Sequence, residues 1–138
     1  MNPWKVDVLL DFDVPASFLA TIFVAFLVKH FIADFLLQTG WMAHGKEQKT
    51  DWVLPLACHA AIHGALTALI CLIYAPSWLW LGLADFVIHF VIDRSKSHAS
   101  RLAHASPDKS IFWWLLGLDQ SLHHLTHFAY LLLIASTR

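Results

Sequence analysis

The chain has 138 residues, 58% of them hydrophobic and 14% charged, with a formal net charge of −1. A soluble domain carries about 25% charged residues, so this composition points to an integral membrane protein. The near-neutral balance excludes a nucleic-acid partner, and the length allows one small bundle with no second domain.

Before Pro15, Lys5 is followed by Asp7, Asp11 and Asp13, which is not the basic leader of a signal peptide. Trp4, Val8, Leu9, Leu10 and Phe12 in that stretch fit a short amphipathic helix lying along a membrane surface. Four oily segments follow, at 16–39, 52–74, 77–97 and 110–135. Each approaches or exceeds the ~20 residues needed to cross ~30 Å of hydrocarbon. The first contains Lys29, His30 and Asp34 and is read as a retained span. The second holds Cys58 and Cys71, which lie about 20 Å apart along one helix, too far for a disulfide between them. Ala75-Pro76-Ser77 joins the second and third segments as a tight hairpin in which Pro76 opens the third helix. Trp78 and Trp80 beside that hairpin, and Trp113 and Trp114 at the start of the fourth segment, read as interfacial belts.

Four spans put the 40–51 and 98–109 loops on one side. That side holds Lys46, Lys49, Arg94, Lys96, Arg101 and Lys109, against Lys5 and Arg138 on the other. The positive-inside rule makes the loops cytoplasmic and both termini external.

The informative pattern is a pair of ionisable residues spaced by four in each segment. The pairs are His30 and Asp34, His59 and His63, His89 and Asp93, and Asp119 and His123. That spacing puts both members on one helix face. Asp85 extends the third face and His127 the fourth. Ionisable groups in a span cost about 2.5–3.5 kcal/mol each for Asp or Lys and mark function. Helix rise places most of these residues about 8–16 Å below the cytoplasmic boundary, with Asp93 at the rim and His123 deeper. Four independent segments therefore converge on one depth.

Imidazole with carboxylate suits Zn²⁺, Mn²⁺ or Fe²⁺, and helical bundles build two-metal sites from such residues on facing helices. No H-E-x-x-H motif is present. Metal ranks first, a polar network or proton pathway second, and haem with two axial His third. Asp34, Asp93 and Asp119 have an alternative as salt links to Lys29, Arg94 or Lys96. Lys29 either faces the site and an anionic substrate or pairs with an Asp. Arg94 and Lys96 are expected to snorkel, and His44, His98 and His104 to be solvated. His124 sits one step off the His123 face. Gln38 and Gln120 are expected as hydrogen-bonding partners, and Gly64 and Gly82 as points of close helix approach.

The string His30-Phe-Ile-Ala-Asp34-Phe-Leu-Leu-Gln38-Thr-Gly-Trp41-Met42 resembles the opening signature of a bacterial and phage membrane family, domain of unknown function 3307. His59-x3-His63-Gly64, His89-x3-Asp93-x2-Lys96 and Asp119-Gln120-x2-His123 agree with it in order. The resemblance covers roughly 20–135 and implies a small polytopic membrane protein. Lys29, His124 and His127 do not match the pattern. A looser similarity, to membrane proteins described as metal-dependent hydrolases, rests only on His and Asp in oily helices.

Together these readings predict an all-α, four-transmembrane-helix bundle in a bacterial inner membrane, with a site opening toward the cytoplasm. The expected ligands of a divalent transition metal are His30, Asp34, His59, His63, His89, Asp93, Asp119 and His123. The expected activity is metal-dependent hydrolysis of a lipid or another membrane-associated substrate. The alternatives are a transporter or channel for metal ions or protons, and a non-catalytic envelope or phage protein whose polar layer holds helices in register. Four spans are few for alternating access unless copies associate as a homo-oligomer.

Overall fold

The structure, a computed structural model, describes residues 14–137, so the expected surface helix before Pro15 lies outside it. Every regular element among the described residues is helical. Helix α1 (Ala16–Phe31) starts behind Pro15, whose carbonyl accepts from the Phe18 and Leu19 amides at 2.9 and 3.3 Å. Proline is tolerated there because an amide at a helix start has no intrahelical acceptor. The first segment does not stay α-helical to 39. It widens into a π-turn (Ile32–Leu37) and stops where Gln38 turns extended. The turn carries Asp34, and Gln38 Nε2 donates to the Asp34 carbonyl at 3.2 Å, replacing a bond that the widened ladder gives up.

The next loop contains a short helix, α2 (Gly40–Gly45), capped by the Thr39 hydroxyl, which accepts from the Met42 amide at 3.3 Å. α2 lies tight on α3 (Val53–Tyr74): a Cβ added at Gly45 would sit 2.5 Å from Pro55 Cγ. α3 matches its expected span closely. The third helix does not. Pro76 opens a single 3₁₀ turn (Pro76–Trp78), and α4 runs over Leu81–Leu102 rather than 77–97. The late start follows from amides that bond three residues back, Trp78 to Ala75 and Leu79 to Pro76. The overrun has a tertiary cause. Residues 46–48 fold against the polar end of α4, where Arg94 donates to the Gln48 carbonyl, Arg101 to the Glu47 carbonyl and Ser97 to the Lys46 carbonyl. His98 and Arg101 thus lie on a helix, not in a loop. α5 (Ser110–Ala135) falls where expected.

α3 and α4 share the most extensive contact of any two helices. Gly64 and Gly82 make it possible: a Cβ on Gly64 would come within 2.6 Å of the Gly82 carbonyl, and one on Gly82 within 2.8 Å of the Gly64 carbonyl. This is the close backbone approach that small residues allow between helices.

The interior is layered, in the same order along each long helix. At the hairpin end, Ile22, Phe26, Ile70, Cys71, Leu81, Tyr130, Leu131 and Ile134 form an apolar cluster. Next come Lys29, Thr67, Asp85 and His127, one from each helix and all buried. Then follow the His/Asp pairs, and finally the basic loops. The exterior is apolar instead: Phe35, Leu54, Leu83, Trp114 and Leu125 are each more than 60% exposed. Two helical segments, Ala16–Leu37 and Val53–Tyr74, are long and apolar enough to cross a membrane. α4 and α5 fall short of that measure, because α4 carries Asp85, His89, Asp93, Arg94 and Lys96, and α5 carries Asp119, His123, His124 and His127.

Candidate metal centre

The four-residue spacing does what helix geometry requires, and all eight expected site residues meet in one region. Asp34 Oδ1 lies 3.0 Å from His63 Nε2 and 3.4 Å from His59 Nε2, and its Oδ2 lies 3.2 Å from His30 Nε2. Asp93 Oδ1 is 3.2 Å from His123 Nε2 and 3.6 Å from His89 Nε2, and its Oδ2 is 3.5 Å from His59 Nε2. His59 and His89 bring their Nε2 atoms to 3.2 Å. Asp34 with His59, His63 and His89 forms one group with ligand atoms within 4.8 Å of one another, and His89 with Asp93 and His123 forms a second. His89 belongs to both.

The Nε2 side fits a transition metal: three imidazoles and a carboxylate in one group, two imidazoles and a carboxylate in the other. The Nδ1 side is bare. Nδ1 of His30, His59, His63 and His89 is buried with no hydrogen-bond partner, whereas metal-bound histidines commonly donate that N–H to an acceptor. Ring packing orients them instead: His89 stacks on His63 at 3.6 Å and on His123 at 4.0 Å between centroids.

His30 and Asp119 are peripheral. His30 Nε2 also lies 3.1 Å from Gln120 Oε1, and Gln120 Nε2 donates to Asp119 Oδ2 at 3.3 Å, which fits the expected role of Gln120. Asp119 reaches His123 Nε2 only at 3.6 Å, and its Oδ1 has no hydrogen-bond partner. Helix rise alone put Asp93 at the rim and Asp119 inside. The structure buries both, and it encloses Asp93 because the loop after α1 folds over it and Lys46 donates to its Oδ2 at 2.7 Å.

Lys46 is therefore a site residue that sequence reasoning counted only as a loop charge. Its one sequence signal was its place in the loop that follows the His30/Asp34 face. Lys29 does not enter the cluster. It donates to Asp85 Oδ2 at 2.6 Å, lies 3.1 Å from His127 Nε2, and Thr67 donates to the same Asp85 oxygen at 2.7 Å. Among the described residues, none of Lys29, Arg94 and Lys96 forms the alternative salt link to Asp34, Asp93 or Asp119. Arg94 lies over the Trp52 ring at 3.6 Å and Lys96 pairs with Glu47 at 2.8 Å. His44, His98, His104 and His124 are exposed.

Fold and site define an all-α protein that buries a layer of histidine and aspartate in metal-ligating geometry between helices. The chain belongs to the family described as Protein of unknown function (DUF3307), whose model matches residues 22–137. No curated protein and no solved structure matches it.

Proposed function

We propose that the protein is a four-span membrane protein that binds a divalent transition metal in this cluster and hydrolyses an ester or phosphoester of a membrane-associated substrate. Charge accounting carries the reading. Asp34, Asp93 and Asp119 face one ammonium, Lys46, in the cluster. With the imidazoles neutral, as metal ligands must be, two negative charges are left away from water, and one divalent cation neutralises them.

The apolar exterior supports a lipid surround, since soluble monomers rarely expose contiguous apolar patches larger than a few hundred Å². Exposed Trp80 at the hairpin end, and exposed Trp41, Trp113 and Trp114 at the other, support a belt at each interface. With the basic loops cytoplasmic, the cluster opens inward and both termini face out.

In this reading Asp34, His59 and His63 would hold one ion and Asp93 and His123 a neighbouring one, with the single Nε2 lone pair of His89 serving one of the two. A bound metal supplies a water acidic near neutral pH and a Lewis acid for the substrate oxygen. Lys46 covers Asp93 Oδ2 from the loop side and competes with the metal for it. Asp119 Oδ1, which has no hydrogen-bond partner, is the open acceptor for a proton at the edge of the cluster.

The test is metal analysis of detergent-purified protein together with hydrolysis of ester and phosphoester probes. One or two transition-metal ions per chain, and activity that disappears with a chelator, are expected. A metal-free protein with full helicity sinks the reading.

One observation favours a proton relay as second reading: the Lys29–Asp85–His127 layer extends the polar column outward, with the His30 and His127 rings 5.6 Å apart. The apolar cluster beyond it ends the column. Protein-dependent proton or metal flux in proteoliposomes, lost in Asp34→Asn, would install the relay in place of the hydrolase.

A further inference from the structure

Two cavities lie end to end along the seam between α4 and α5, with Lys96 a wall of both. The one at the loop end has a volume of about 520 Å³ and is lined by Lys49, Lys96, Arg101 and His104, with Glu47 the single acid. Glu47 is already engaged by Lys96, whereas Lys49 makes no ion pair among the described residues. The second cavity, about 220 Å³, is almost wholly apolar: Val91, Ala99, Leu115, Leu118 and Leu122 line it. Asp119, buried at 8% exposure, also lines it, and its Oδ1 has no hydrogen-bond partner and lies 3.6 Å from His123 Nε2. From Ser100 to Val91 the trough is about 14 Å long by helix rise. It therefore has a basic end, an oily barrel and a carboxylate at the edge of the His/Asp cluster.

We propose that this trough binds an anionic glycerophospholipid and that such lipids are the substrate class of the cluster, an inference that rests on the hydrolytic reading above. The phosphate sits among Lys49, Lys96 and Arg101, where charge complementarity favours it. One acyl chain lies between α4 and α5, and the ester linkage between headgroup and chain is drawn toward Asp119. A soluble phosphate compound would use the basic end and leave the apolar half without purpose.

The experiment measures lipid retention by the full-length protein in a neutral detergent, using phosphatidylglycerol, phosphatidylcholine with the same chains, and glycerol phosphate as the free headgroup. Metal content is measured on the same samples. Phosphatidylglycerol should be retained about tenfold better than phosphatidylcholine, with glycerol phosphate a poor competitor. Lys49→Gln, at an exposed site, should weaken the anionic lipid about fivefold and spare the neutral one. Ala99→Leu, which fills the groove, should weaken both lipids. Metal content should be unchanged in both variants.

Equal retention of the two lipids overturns the proposal. So does indifference to Ala99→Leu, which would reduce the effect to surface attraction by basic loops, and so does glycerol phosphate competing as well as the lipid. These failures with metal still bound leave the metal reading standing. Lipid selectivity kept by a protein that never holds metal keeps the trough but removes its role as a substrate site.

Discussion

The two buried polar layers contain the same kinds of side chain and differ in how their charges close. In the layer nearer the hairpin, Lys29 and Asp85 form an ion pair, and Thr67 and His127 complete its hydrogen bonds. One positive and one negative charge cancel, so nothing further is required. In the next layer, two carboxylates are each surrounded by imidazole nitrogens, a third stands at the edge, and Lys46 is the one ammonium that reaches them. Composition therefore does not separate a self-compensated layer from a candidate ligand-binding one. Charge balance and the convergence of lone pairs do.

The comparison breaks first at Lys29. Lys29→Met leaves Asp85 buried without its cation and should cost about 3–5 kcal/mol, read as a large fall in melting temperature in detergent. The double variant Lys29→Met/Asp85→Leu should recover most of that loss. A single variant as stable as the parent would mean that the first layer is not closed by its ion pair.

The second layer should behave in the opposite way. Asp34→Ala and His63→Ala should abolish metal retention while the protein still inserts and stays helical. In the parent, metal at about a thousand times its dissociation constant should add ~4 kcal/mol of stability, which chelation removes. The same chelator should not alter the unfolding of either metal-free variant. Full retention in both variants would exclude Asp34 and His63 as essential ligands.

Thr67→Val tests a single bond in the closed layer. It removes a hydrogen bond to a charged acceptor and should cost about 1.5–3 kcal/mol by thermal unfolding, with metal content unaffected.

The smallest effect is expected at Lys46. Lys46→Gln removes the ammonium that competes for Asp93 Oδ2, so divalent-metal affinity should rise a few-fold by titration, as loss of a neighbouring positive charge dictates. A fall in affinity would mean that Lys46 acts mainly by positioning Asp93.

Much of this was legible in the chain itself. A spacing of four fixes a common helix face whatever the surroundings, so His30 with Asp34 and His89 with Asp93 were bound to point together. The segments 52–74 and 110–135 matched their helices because long oily runs leave little choice of structure. Gly64 and Gly82 are points of close helix approach, as their size suggested. Tertiary structure decided the rest. Whether α4 stops at 97 depended on residues 46–48 folding back to satisfy its polar end, a contact about 50 residues away in sequence. Whether Lys29 joined Asp34 or Asp85 depended on how α1 is rotated against α4, which sequence spacing within either helix does not determine. The enclosure of Asp93, which residue counting put at the rim, depended on the loop after α1 packing over it. Depth along a helix follows from counting residues, but enclosure follows from what packs over them.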